Sequence, residues 1–108
     1  MPKRGDVVLI PFPFSDLSGQ KVRPALILSK HSKHNDVVVL FITSKSRNRG
    51  DFIVAIAPSK ENGLKVQSEV VCDKIATLDR KTIIGQIGHL ESKAQKDVDK
   101  LVTKLLGL

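Results

Sequence analysis

Apolar positions follow two different periods along the chain. Up to His89 they come in short runs of β-branched and aromatic side chains broken by turn formers, and after Leu90 they recur every three to four residues. The first run, VVLIPFPF at residues 7–14, carries Pro11 and Pro13, which lack the ladder donor and place that half at an edge, a bulge or a strand exit. Turn formers SDLSGQ at 15–20 separate it from PALILS at 24–29, and the two runs are predicted to pair as neighbours. DVVVLFIT at 36–43 suits a strand buried on both faces; DFIVAIA at 51–57 follows the turn-like KSRNRG, predicting a hairpin across 44–50. After PSKENGL at 58–64, two further short strands are expected at 66–72 and 82–87, around IATLD at 75–79. Ala94, Val98, Leu101, Val102, Leu105 and Leu106 then form one face of a helix, with a capping box from Ser92 to Gln95 and a stop at Gly107. The prediction is a mainly β chain with a C-terminal helix, forming a small, partly open barrel as one domain over residues 1–108.

Composition narrows the classes. With 108 residues, 41% hydrophobic and 27% charged, the chain has the balance of a foldable globular domain and not of a disordered one. Cys72 is the single cysteine, which removes an intramolecular disulfide and a multi-cysteine metal site and fits a reducing cytoplasm. The longest apolar run, residues 37–42, is far short of a membrane span, and the opening Met-Pro-Lys-Arg-Gly-Asp leads into no secretory core, so neither export nor a membrane partner is expected. The net charge is +7, and six of those charges fall in residues 20–50, where Lys21, Arg23, Lys30, Lys33, Lys45, Arg47 and Arg49 face one acid, Asp36. A surplus concentrated in this way can build a positive surface for a polyanion, although small domains also carry basic loops without a ligand.

Few chemistries survive inspection. His31 and His34 have no matching Asp, Glu or Cys at ligand spacing and His89 stands alone, so all three read as structural or exposed, and no metal or other cofactor is expected. No nucleophile elbow, Walker loop or dinucleotide glycine motif occurs. Cys72 reads as a buried, inert thiol. Phosphate chemistry remains. Arg23 precedes Pro24, which holds its backbone extended and aims a guanidinium able to grip phosphate bidentately; a strand-entry arginine paired with a carboxylate is the other reading. Thr43 and Ser44 put two hydroxyls at the mouth of the loop bearing Lys45, Arg47 and Arg49, either to bond phosphate or ribose oxygens or merely to pack a strand and start a turn.

Three segments carry a resemblance: RGDVVLIPFPFSDLSGQKVRPALILS at 4–29, FITSK at 41–45, and SEVVCDKIATLD at 68–79 followed by IGQIGHL at 84–90. In this order they resemble the MazF/PemK toxins of bacterial toxin-antitoxin systems. The resemblance implies an SH3-like barrel with an added helix, a homodimer, and an mRNA interferase: a sequence-specific endoribonuclease acting on single-stranded RNA. It implies a metal-free attack of the ribose 2′-OH that yields a 2′,3′-cyclic phosphate and a 5′-OH. It also implies restraint by an acidic antitoxin peptide that covers Arg23, with DNA met only through the antitoxin. Arg23 and Thr43 match the family's catalytic pair. Lys21, Ser44, Lys45, Arg47, Arg49 and Asp73 are then expected to contact RNA; as the base, Asp73 matches an acidic position that some members use and Asp16 is a loop alternative, and both could equally be structural partners of Arg23 or Lys74.

The chain departs from the pattern of the family it resembles at Val71 and Ala76, where relatives with R-C-D and R-T-I-D segments carry arginines, and at Ser18, where some carry a glutamate. These departures bear on which RNA sequence is cut. The competing expectation is a non-catalytic nucleic-acid-binding or gyrase-poisoning toxin on the same fold, which the absence of Trp and Tyr would suit.

Overall fold

The computed structural model describes residues 2–12, 21–30, 34–45 and 52–108. Its six strands are β1 (Asp6–Phe12), β2 (Lys21–Ile27), β3 (Asp36–Thr43), β4 (Ile53–Ile56), β5 (Ser68–Asp79) and β6 (Gly85–His89), and a helix α1 (Ser92–Leu106) closes the chain. They form one antiparallel sheet in the order β4-β5-β3-β2-β1-β6, curled into a half-barrel.

Strand β3 occupies the span its β-branched run predicts and supplies both sides of the core. Leu40 and Ile42 join Val7, Leu26, Val70, Cys72 and Leu90 in a cluster that reaches Val98 and Val102 of α1. Val37 and Val39 belong to a second cluster with Val8, Ile10, Ala25 and Ile27. Pro11 pairs with Val22 in β1, beyond the point where β6 stops at Leu9, so its missing N–H lies in a stretch with one neighbour.

Four predicted features are corrected. No hairpin joins β3 to β4, because β5 lies between them and pairs with both, its half from Ser68 to Cys72 being buried enough for an interior strand. Residues 75–79 do not separate two strands but continue β5, alternating exposed and half-buried as a one-sided strand should. Thr82 lies in a 3-10 turn, Arg80–Thr82, and β6 begins only at Gly85. The capping box does not form: the N-cap is Glu91, and its carboxylate accepts instead from Ser59 Oγ at 2.6 Å and from Asn62 Nδ2 at 3.2 Å. Gly107 does end the helix, with φ of 73° and its N–H bonded to the Lys104 carbonyl.

Glu91 gives a test of this tie. The Ser59 hydrogen bond, followed in size by opposing desolvation, holds its carboxyl below the ordinary value of 4.5. A depressed folded value means the contribution is present above the unfolded pKa and is lost as pH falls through the folded one. Wild type should therefore lose melting temperature more steeply than Glu91→Gln once the pH drops below that ordinary value, and superimposable profiles down to about pH 3 would contradict the tie.

Candidate active site

The register of β2 on β3 brings Arg23 and Thr43 together. The last pair at that end is Ala25↔Phe41, and the same register carried two residues further sets Arg23 across from Thr43. Pro24, between them, has no N–H to extend the ladder, so the strands part there and leave an opening. Alternation along the strands sends Arg23 and Thr43 to the side of Ala25 and Phe41, which belongs to the second core cluster.

A cavity of about 280 Å³ occupies that opening, lined by Ile10, Arg23, Pro24, Phe41, Ile42, Thr43, Lys45, Val71 and Lys74. Its described lining holds three cations, one hydroxyl and no carboxylate. Thr43 Oγ1 accepts a hydrogen bond from the Lys45 backbone N–H at 3.1 Å, a turn that fixes the hydroxyl while its own proton remains available to donate. The charge of this lining is complementary to a compact anion.

The other predicted residues are distributed around it. Lys45 lines the cavity. Ser44, one residue past Thr43, lines a second cavity of about 340 Å³ together with Leu9, Val22, Leu64 and Ile87; Arg23 borders both. Lys21 is exposed at the start of β2, paired with Phe12. Asp73 is exposed and stands outside the lining of both cavities. Arg47, Arg49 and Asp16 lie outside the described residues. The basic segment is also less concentrated in space than along the chain, for Lys30 sits beyond the opposite end of β2, in a depression with Lys3, Arg4 and Asp99.

Lys74 is the cavity residue that sequence reasoning did not place in the site. It arrives through a register shift: β5 pairs Val71 with Phe41 but Ile75 with Leu40, leaving Cys72, Asp73 and Lys74 as a bulge. Val71 is an apolar part of the wall, and Ala76 packs on the second cluster. Cys72 is fully buried, and burial, with the Asp73 charge adding to it, pushes its thiol up to about 11, so it stays protonated and inert. His89 is structural, its Nδ1 lying 2.8 Å from the buried Asp6 carboxylate. Among the described residues no group of three His, Cys, Asp or Glu side chains is placed to hold a metal, and no helix is long and apolar enough to cross a membrane.

A family profile described as PemK-like, MazF-like toxin of type II toxin-antitoxin system matches residues 3–106. The chain belongs to that toxin family. Solved structures similar to this member include an endoribonuclease from a mycobacterial species in complex with its cognate antitoxin, 24% identical with a TM-score of 0.81 over 100% of this chain and 97% of that one. MazF from Deinococcus radiodurans is 24% identical with a TM-score of 0.78, over 99% and 97% of the two chains. A second mycobacterial endoribonuclease is 25% identical with a TM-score of 0.75, over 99% and 92%. At such identities the similarity carries the MazF-like fold, while the profile carries the family.

Proposed function

We propose that this PemK/MazF-family chain is a cytoplasmic endoribonuclease toxin that cuts single-stranded RNA at a short sequence without a metal and is held inactive by an antitoxin. The observation that supports it most is the shared cavity, whose lining joins Arg23 and Thr43 with Lys45, Lys74 and apolar side chains and holds no described carboxylate. Antitoxin complexes among structures of the same fold support the partner, and a homodimer belongs to the same reading.

In the reaction the ribose 2′-oxygen forms a bond to the adjacent phosphorus as the bond from phosphorus to the 5′-oxygen breaks. The 2′ proton leaves to a base and the 5′-oxygen takes up a proton, giving a 2′,3′-cyclic phosphate and a 5′-OH. Negative charge builds on the non-bridging oxygens, where a fixed guanidinium acts most strongly. A guanidinium offers only donors, so the work of Arg23 is charge stabilisation and a hydrogen bond to the leaving 5′-oxygen, which takes its proton from water, and not abstraction. Thr43 donates its hydroxyl proton to a non-bridging oxygen or to the ribose. Of the carboxylates considered as base, Asp73 sits outside the cavity lining and Asp16 outside the described residues.

Incubation of purified protein with a long mixed-sequence RNA in EDTA, with the new ends identified chemically, tests the reading. Cuts bearing cyclic phosphates are expected. Binding without cutting would replace it with the non-catalytic alternative. Thr43→Val keeps the strand's shape and deletes the hydroxyl, and its cleavage should fall by about 100-fold while Thr43→Ser stays near wild type. Equal activity of the valine and serine variants would remove the hydroxyl from the mechanism.

A further inference from the structure

The bulge in β5 gives the cavity its third cation from the far side of Thr43. In the sheet, β3 lies between β2 and β5, so Arg23 and Lys74 approach from strands two spacings apart, about 9.5 Å between backbones. Thr43 stands on the strand between them. A regular β5 would have continued the register of Val71 and kept every residue in the ladder. The three extra residues release Lys74 from it, and the bulge is held at Cys72, whose N–H donates to the Phe52 carbonyl at 2.8 Å and whose side chain is buried in the first core cluster, while the pairs Val71↔Phe41 and Ile75↔Leu40 flank it. Bulges of this kind re-aim a side chain at a fixed place.

We propose that Lys74 binds a phosphate of the RNA next to the scissile one, and so orients the strand across β2, β3 and β5; this rests on the assignment of Arg23 and Thr43 to the scissile group. The lining supports an anionic occupant for the Lys74 side as well, because Lys74, exposed on its strand, borders a cavity whose other walls there are the apolar Val71, Phe41 and Ile42 and whose described lining holds no carboxylate. An ammonium suits this task better than the chemistry, since it acts as a point charge on phosphate without the two-pronged geometry that a guanidinium offers. Lys74 is thus a substrate-positioning cation, separable from the chemical step.

Two measurements on Lys74→Met and Lys74→Arg test this. The first is binding of a mixed-sequence RNA with every 2′-hydroxyl methylated, which blocks the nucleophile, followed against salt concentration. Loss of one phosphate contact should flatten the slope of log affinity against log salt by about 0.7 in Lys74→Met, with affinity falling about threefold to tenfold at about 0.1 M salt; Lys74→Arg should retain the slope. Lys96→Met, on the exposed side of α1, removes the same charge and should leave the slope nearly unchanged. The second is single-turnover cleavage of a mapped site at saturating enzyme, where Lys74→Met should stay within about twofold of wild type. An unchanged slope in Lys74→Met, or no wild-type binding at all, overturns the proposal. A saturated rate lowered about 100-fold at unchanged affinity also overturns it, and moves Lys74 to the scissile group. Failure of the nuclease reading is distinguishable, because it would appear as wild type that never cuts while the binding slope still responds to Lys74.

Discussion

Arg23→Ala is expected to lose about three orders of magnitude in the rate of RNA cleavage while keeping the wild-type fold and melting temperature. The size follows from what a guanidinium does in a dianionic transition state. Attack at phosphorus places extra charge on oxygens that already carry one, and a donor already aimed at them does not have to reorganise when the charge arrives. Pro24 supplies the aim by restricting the Arg23 backbone, and the pairing of Arg23 with Ile10 in β1 holds the strand from its other side. Fold retention follows from position, since Arg23 is only half-buried and lies at the rim, not in either core cluster. Arg23→Lys should recover part of the loss, as it restores charge but not the bidentate fork. Single-turnover cleavage of one mapped site, with circular dichroism of each variant, decides the matter. A folded Arg23→Ala that cuts within tenfold of wild type would remove Arg23 from the chemistry.

How far the chain could be read depends on whether local pattern or distant pairing controls a feature. Residues 36–43 and the apolar stripe of α1 stand out in the sequence because burial on both faces and a period of 3.6 leave direct marks in residue type. That Arg23 and Thr43 would border one cavity was legible for a related reason: Arg23 opens one hydrophobic run beside a turn-rich stretch and Thr43 closes another beside a basic one, and strand ends gather functional side chains. The pairing of β1 with β2 was legible from the turn formers between their runs, but the partner of β4 was not. Adjacency in sequence favours a hairpin from β3 to β4, whereas the structure inserts β5 between them, a pairing decided by how well the residues from Ser68 to Cys72 fill an interior position. Lys74 was hidden for the same cause. Nothing local distinguishes Asp73-Lys74 from any exposed charged pair, and only the register break opposite Leu40 and Phe41 turns that lysine into the cavity. The Ser92 capping box failed because a tertiary network on Glu91 replaced the local hydrogen bonds that the motif describes.

Gly63→Ala and Gly88→Ala should be the most damaging small substitutions outside the site, each lowering stability by more than about 3 kcal/mol. The two glycines sit on opposite sides of one backbone contact. A Cβ on Gly63 would lie 2.0 Å from the Ile87 carbonyl oxygen, and one on Gly88 would lie 2.3 Å from the carbonyl carbon of Asn62. In each case the obstacle is main chain, with no flexible side-chain end to yield. Gly63 also has φ of +73°, which adds the left-handed penalty of an alanine there. The contact cannot open without loss elsewhere. The His89 N–H donates to the Glu61 carbonyl at 2.8 Å, and fully buried Asn62 accepts from the backbone of Ser59 and Leu64 while donating to the Ala57 carbonyl. Displacing β6 would strand these polar groups and loosen β1, to which β6 is paired and on which Ile10 sits beside Arg23. Gly85 is the control, because a Cβ there meets nothing within 4 Å, and Gly85→Ala should change stability by less than about 1 kcal/mol. Urea unfolding of the three variants separates the explanations. If Gly63→Ala and Gly88→Ala unfolded at the same midpoint as Gly85→Ala, the turn at 61–63 would not be locked against β6, and the strand that positions the far wall of the cavity would have to be held by something other than this interlock.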